Sequence, residues 1–160
     1  MGETPFPCSN KQGQLMLGIV VSGHINFASG MRSAVQAIVG EQPQLEFVDF
    51  LESMSTDELE AQLLAAKERV NSGDGVLFLV DLYGGSPCNR AINLLLQDPN
   101  VEVVAGTNLS MIVNAALERE EFTLRELTDC LANGEFSQIK DLRQDLAALS
   151  QDDEDETDGL

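Results

Sequence analysis

Four short apolar runs, each followed by a helical pattern, constrain the fold of this chain more than any other feature. The runs are typical of buried strands and cover residues 15–21, 45–50, 76–80 and 101–105. After each run, apolar residues recur at three- and four-residue spacings, as on one face of a helix. Regular alternation of strands and helices indicates an α/β fold with an open parallel sheet. We therefore predict an open α/β sheet with four parallel strands.

Local signals fix several helix ends. Ser55 and Thr123 each stand three residues before a glutamate, which matches the capping box at a helix start. Gly40 is placed to end the first helix. The segment 136–142 alternates between apolar and polar residues, and both a short strand and a helix remain open for it.

Length and composition predict one domain with two polar extensions. The chain has 160 residues, enough for one compact core. Residues 1–15 contain two prolines and two glycines before any periodic pattern, so we expect a flexible extension there and a domain over residues 16–146. The last ten residues carry six acids and no base, so we expect residues 147–160 to form an acidic, disordered tail.

The net charge excludes one class of partner. Nine basic and 27 acidic residues give a net charge of −18, which repels the phosphate backbone of a nucleic acid. Such a charge can serve solubility alone, or it can attract a basic protein partner.

Cysteine and histidine usage excludes a common metal site. Cys8, Cys88 and Cys130 show no CxxC spacing, and the chain has a single histidine, so a zinc cluster cannot be assembled. We expect no metal and no cofactor. An odd cysteine count, no leader and no apolar run near 18 residues favour a cytoplasmic location.

Two loops stand out at the predicted carboxyl ends of the strands. One carries His24 after the first strand, and the other runs from Asp81 to Pro87 after the third. Ligands of open α/β sheets bind at this edge, where the winding direction reverses. If the strand order is 2-1-3-4, the two strands are neighbours, and His24 and Asp81 face one crevice.

These residue types together suit an anion or phosphoryl site. A carboxylate at Asp81 can hold one ring N–H of His24, so that the other nitrogen is free as a nucleophile. Ser86 fits an N-cap before a proline, and the helix it starts would direct free N–H groups at the crevice. Gly84 and Gly85 let the main chain approach closely.

Each feature also has an ordinary structural explanation. A lone histidine is more often packed or on the surface, Asp81 can cap a turn, and a Gly-Gly-Ser-Pro sequence is commonly local turn geometry. The glycines match neither GxxxxGK[ST] nor GxGxxG, which disfavours ordinary nucleotide binding.

Three sequence stretches resemble one known family. Residues 18–24 (GIVVSGH), 75–87 (GVLFLVDLYGGSP) and 103–111 (VVAGTNLSM) are similar to the IIA component (EIIA) of the mannose family of the bacterial phosphoenolpyruvate:sugar phosphotransferase system. The resemblance covers about residues 16–146. It implies a phosphocarrier that receives a phosphoryl group from HPr and donates it to a IIB component during sugar uptake.

The resemblance also implies residue roles and an assembly. His24 is the phosphorylated residue, Asp81 orients its imidazole, and Ser86 contacts the phosphoryl group. The fold that the resemblance implies is α/β, a doubly wound sheet with four parallel strands. A fifth, antiparallel edge strand is exchanged between the subunits of a homodimer, and residues 136–142 are where we expect it. Ile25 and Tyr83 depart from the better-known mannose member, which has Gly and Trp at these places.

Two alternatives remain open. The same domain also serves as the phosphotransfer subunit for dihydroxyacetone kinase or within a regulator, with a different acceptor. A non-catalytic dimeric α/β binding module is the alternative from another class. The sequence does not identify the sugar or the IIB partner.

Overall fold

The strands and helices alternate along the chain. The computed structural model describes residues 15–157, with side chains as far as residue 152. Its elements are β1 (Gly18–His24), α1 (Phe27–Val39), β2 (Leu45–Phe50), α2 (Thr56–Val70), β3 (Val76–Val80), α3 (Ser86–Gln97), β4 (Val101–Val104), α4 (Leu109–Glu118), a 3₁₀ turn (Arg119–Glu121), α5 (Leu124–Ala132) and α6 (Leu142–Thr157). The predicted capping boxes at Ser55 and Thr123 are both confirmed. Most of the predicted extension, residues 1–14, lies outside the described residues.

The sheet has the predicted order. Its four strands are parallel and run β2-β1-β3-β4. Strand β1 extends further than predicted, because its pairing with β2 continues until His24 lies opposite Phe50. His24 is therefore fixed by a strand ladder rather than placed on a free loop.

Apolar side chains fill both faces of the sheet. Alternate residues of the central strands enter two separate core clusters, with Leu77 and Leu79 in one and Phe78 in the other. The first cluster includes residues of α1, α4 and α5, and the second includes residues of α2 and α3. Burial on both faces is typical of the central strands of a parallel sheet. This rigid layer fixes the strand ends that carry the polar residues.

A buried cation closes the amino edge of the sheet. Arg119 is 2% exposed, and its guanidinium donates hydrogen bonds to the carbonyl oxygens of Leu17 and Gln44, each 3.0 Å away, and to that of Pro43. Burial lowers the pKa of Arg119 to about 10, which leaves it charged at neutral pH. Arg119 thus joins the starts of β1 and β2, opposite the edge where His24 lies.

The segment after α5 differs from the strand that was considered for it. Residues 136–141 contain no strand in this single chain. Phe136 packs against Phe122 with ring centroids 6.0 Å apart, and the carbonyl oxygen of Ser137 accepts a hydrogen bond from the Asn108 side chain. A strand needs a neighbour for its ladder, and an exchanged strand finds one in a second subunit. Strand exchange and the homodimer remain predictions.

Residues 147–157 of the acidic tail lie within a helix in this structure, and the expected disorder of the tail remains a prediction. Helix α6 begins at Leu142, and the side chain of Asp141 accepts hydrogen bonds from the N–H groups of Arg143 and Gln144. This N-terminal cap and the leucines at three- and four-residue spacing favour a helix from Leu142 onward. None of the helices within residues 15–157 combines the length and the apolar content needed to cross a bilayer.

Candidate functional site

The structure brings His24 and Asp81 together at the carboxyl edge of the sheet. His24 is the last residue of β1, and Asp81 directly follows the neighbouring strand β3. The N–H of Asp81 donates to the carbonyl oxygen of Ser22 at 3.2 Å, which extends the ladder between the two strands by one step. The predicted strand order thus places the two side chains on one crevice.

One carboxylate oxygen of Asp81 holds both the main chain and the ring of His24. Oδ2 lies 2.8 Å from the main-chain nitrogen of His24 and 2.8 Å from Nδ1 of its ring. Oδ1 accepts the N–H of Leu82 at 2.7 Å. Because an ionised carboxylate can only accept hydrogen bonds, Nδ1 carries the proton and the neutral ring keeps its lone pair on Nε2.

Asp81 is ionised at neutral pH. Partial burial raises the pKa of its carboxyl, but hydrogen bonds from the main chain and ring of His24 and from the N–H of Leu82 together hold it below the usual range. The Asp81 side chain is only 14% exposed, whereas that of His24 is 41% exposed. The negative charge is therefore sheltered behind a ring that solvent and partners can reach.

The ring of His24 lies directly against the main chain at Gly85. A Cβ atom at Gly85 would stand 2.6 Å from Cε1 and 3.3 Å from Nε2 of His24, closer than real side chains approach. The ring also makes an edge-to-face contact with Phe50, with centroids 6.0 Å apart. Any side chain at position 85 would therefore require the imidazole to move from this position.

Helix α3 begins one residue earlier than predicted. Its N-cap is Gly85, Ser86 is the first helical residue, and Pro87 is the second, so the prediction of Ser86 as N-cap is wrong. The extended backbone of Gly85, with φ of −74° and ψ of 169°, already has N-cap geometry, and the main chain reverses just before it at Gly84 with a φ of 80°. That left-handed conformation favours glycine.

No side chain caps the N-terminus of α3. The N–H groups of Ser86 and Cys88 point out of the first turn, and Pro87 has none. Helix N-termini attract anions through such donors and through the helix dipole. An anion bound there would lie beside Gly85 and therefore close to Nε2 of His24.

Two site residues were missed by the sequence analysis, and both lie at the end of β2. The carbonyl oxygen of Phe50 accepts the N–H of Ile25, and Oδ1 of Asp49 accepts the N–H of Ser29, each at 2.8 Å. Strand order 2-1-3-4 puts the end of β2 beside His24, so the pair Asp49 and Phe50 could have been noted as further polar and aromatic residues at the ligand edge.

The rim of the crevice is apolar and exposed. Tyr83 is 86% exposed and Ile25 is 46% exposed, and Leu82 is also exposed. Among residues 15–157, no group of three or more His, Cys, Asp or Glu side chains is arranged to hold a metal ion.

The arrangement suits nucleophilic attack on an anionic centre. A neutral imidazole with a fixed tautomer presents its lone pair, a partly buried carboxylate stabilises the charge that develops on the ring, and free helix donors lie alongside.

Comparison with known proteins assigns the chain to one family. The family model for the PTS system fructose IIA component (EIIA-man) matches residues 18–131. The chain is 29% identical over 116 residues to the PTS system fructose-specific EIIA component of Bacillus subtilis, which covers 72% of this chain and 80% of that protein. It is 30% identical over 107 residues to the PTS system mannose-specific EIIAB component of Escherichia coli, covering 67% of this chain and 33% of that longer protein.

A solved structure supports the same assignment. The phosphotransferase system component EIIA from Streptococcus agalactiae superposes with a TM-score of 0.73 and 28% sequence identity, covering 81% of this chain and 99% of that one. The fold predicted from the sequence is thus that of an EIIA protein.

Proposed function

The chain belongs to the PTS system fructose IIA component family, and from that premise we propose that it is a phosphocarrier whose His24 receives a phosphoryl group from phospho-HPr and donates it to a IIB component. Membership gives the chain a phosphotransfer role in a sugar phosphotransferase system. The observation that carries the finer assignment is the 2.8 Å contact between Asp81 and Nδ1 of His24, because it leaves Nε2 free as the acceptor. Residues 16–146 form the phosphotransfer domain in this proposal.

The chemical step is an exchange of one N–P bond for another. The lone pair on Nε2 of His24 attacks phosphorus in line with the leaving nitrogen of the donor's phosphohistidine, and the electrons of the broken bond stay on that nitrogen. His24 keeps its proton on Nδ1 and gains positive charge as the bond forms. Asp81 stabilises that charge and holds the ring in place. Transfer to the IIB component runs the same step in reverse.

The start of α3 holds the phosphoryl oxygens in this mechanism. The N–H groups of Ser86 and Cys88 and the hydroxyl of Ser86 are the donors. Gly84 and Gly85 let the phosphoryl group and the ring approach the main chain. Backbone donors and a helix dipole suffice for the charge, so the mechanism requires no metal and no cofactor.

The partners follow from the charge and the exposed rim. A chain with a net charge of −18 attracts carriers with positive surfaces around their own active histidines and repels nucleic acid. The apolar side chains of Tyr83 and Leu82 give such carriers a surface to cover. The membrane IIC and IID components are reached only through IIB. The proposal places a homodimer in the cytoplasm.

Phosphorylation in a reconstituted system tests the proposal. The protein is incubated with phosphoenolpyruvate, enzyme I and HPr, and intact-mass and peptide spectra are recorded at neutral pH. We expect one acid-labile phosphate on His24 and none on His24→Gln. Because the chain has a single histidine, phosphate on any other residue contradicts the proposal, and no phosphate at all favours a non-catalytic binding module.

The acceptor is identified by a second incubation. The isolated phosphoprotein is mixed with candidate IIB components or with dihydroxyacetone kinase subunits, and loss of phosphate from His24 is followed. Transfer to a IIB component supports sugar uptake, and transfer only to a kinase subunit favours that alternative.

A further inference from the structure

The turn that follows His24 is strained. Ile25 has a φ of 54°, in the left-handed region that β-branched residues avoid. Its N–H donates to the carbonyl oxygen of Phe50 at 2.8 Å, and the two residues form an isolated antiparallel bridge. Such a conformation persists only when the surrounding structure holds it in place. In this protein, the end of β2 holds it.

Helix α1 begins two residues after Ile25, and its N-terminus is capped by a residue of β2. Its own N-cap, Asn26, makes no side-chain cap bond. Instead Oδ1 of Asp49 accepts the N–H of Ser29, the third helical residue, at 2.8 Å. That N–H is the one an N-cap side chain normally satisfies. Asp49 lies opposite Gly23 in the ladder between β1 and β2, so the bond ties the first turn of α1 to the residue beside His24.

We propose that Asp49 is a positioning residue for phosphoryl transfer, which holds the strained turn at Ile25 closed and so keeps the His24 ring against Gly85. The inference rests on the proposed function of His24. Asp49 makes no bond to the ring and acts through the first turn of α1 and the main chain of residues 24–26. Asp81 fixes His24 from β3, and Asp49 fixes the outgoing chain from β2.

Loss of this restraint has a defined consequence. Without the bond from Ser29 to Asp49, the turn can relax toward an unstrained φ, and the main chain of His24 moves with it. The contact of the ring with Gly85 leaves little tolerance, since a displacement of about 1 Å at a reacting group can reduce a rate about 100-fold.

Kinetics of three variants test the proposal. Asp49→Ala removes the acceptor and should slow transfer from phospho-HPr about tenfold, because the nucleophile spends less time in its productive position. Asp49→Asn keeps an acceptor oxygen at the same place and should recover most of the lost rate, since asparagine and aspartate cap helices about equally. Thr123→Ala is the matched control, because it removes the cap of α5 far from His24 and should leave transfer unchanged.

The tautomer of the single imidazole is a second readout, and a loss of stability alone does not change it. Ring ¹⁵N spectra of His24 report the tautomer without any assignment problem. We expect the Nδ1–H form in the wild type and in Thr123→Ala, and a mixture of the two tautomers in Asp49→Ala. Should Asp49→Ala fail to fold, Asp49→Ser replaces it, because it also removes the carboxylate acceptor but keeps a polar side chain at position 49.

The outcomes separate this inference from the proposed function. Wild-type transfer and wild-type ring signals in Asp49→Ala overturn the positioning role, as does an equal loss of rate in Thr123→Ala. If the wild type accepts no phosphate, the proposed function fails, and the ring spectra still decide whether Asp49 positions His24.

Discussion

Two helices, α1 and α3, begin at the crevice, and they differ in whether a side chain binds the free N–H groups of the first turn. Neither has a side-chain bond from its own N-cap. In α1, the carboxylate of Asp49 occupies the first-turn donor, and the preceding turn forces Ile25 into a left-handed conformation. In α3, a glycine takes the left-handed position and no side-chain carboxylate caps the first turn.

The difference shows how a protein can offer one of two similar helix ends to a ligand. Helix N-terminal donors attract any nearby anion, and an internal carboxylate satisfies them as well as a phosphoryl group does. Asp49 accepts a hydrogen bond from an N–H of α1. Asp81 instead accepts one from the imidazole of His24 and leaves the N–H donors of α3 free. In the proposed mechanism, the phosphoryl group is thereby directed to α3, on the side of the ring where Gly85 lies close to Nε2.

The largest effect is expected for Asp81→Asn. The amide removes the charge that stabilises the attacked ring, and it can present an N–H to Nδ1, which would favour the wrong tautomer. We expect transfer from phospho-HPr to fall roughly 10,000-fold, as when the orienting aspartate of a serine–histidine–aspartate triad is replaced by asparagine. Rapid-quench measurement with labelled HPr checks this. An unchanged rate removes Asp81 from the mechanism.

Gly85→Ala tests the close approach at α3. The new Cβ would stand 2.6 Å from Cε1 of His24 and displace the ring, so we expect a roughly 100-fold slower transfer. The φ of −74° at Gly85 suits alanine, so the main-chain fold should be kept. Gly30→Ala in α1 is the matched control, because its Cβ meets nothing within 4 Å and transfer should be unchanged. Full activity in Gly85→Ala would contradict the ring position.

The features that could be predicted from the sequence are those that depend on a local pattern of residues. Apolar runs gave the four strands, and their order put the loops of His24 and Asp81 on one edge. Capping boxes were recognised at Ser55 and Thr123, because donor and acceptor lie three residues apart along the chain.

The remaining features depend on contacts between distant residues. Asp49 caps a helix 20 residues earlier in the chain, and no local pattern marks such a cap. The left-handed turn at Ile25 contradicts the preference of its residue type, because the bond to Phe50, supported in our proposal by the cap from Asp49, overrides it. Ser86 was misplaced as N-cap because Ser-Pro commonly begins a helix, whereas here Gly85 already adopts N-cap geometry.

A smaller effect is expected from relieving the strain before α1. Ile25→Gly and Ile25→Ala remove the same apolar contacts, but only glycine tolerates a φ of 54°. The left-handed penalty for alanine exceeds the entropic cost of glycine, so Ile25→Gly should be more stable by roughly 0.5–1 kcal/mol. Urea unfolding of both variants measures this difference.

A helical position supplies the control of opposite sign. Ala37 is exposed within α1, and Ala37→Gly should be less stable than the wild type by about 1 kcal/mol. If the glycine form were less stable than the alanine form at position 25 as it is at position 37, the strained turn at Ile25 would be contradicted.

The smallest effect is the pH dependence that Asp81 contributes. Its pKa in the folded protein lies below the unfolded value of about 3.9, because the bonds from His24 and Leu82 outweigh the effect of burial. A lowered pKa means that the folded state binds the proton less readily than the unfolded state does. The stability from ionised Asp81 is therefore complete above about pH 4 and is lost as the pH falls through its folded pKa.

Unfolding free energies of the wild type and Asp81→Asn, measured between about pH 7 and pH 3, should converge at the acid end. If the two curves stay parallel, the bond between Asp81 and His24 adds no stability to the folded protein. The proposed contrast between Asp49, which caps a helix, and Asp81, which holds the imidazole, would then be contradicted.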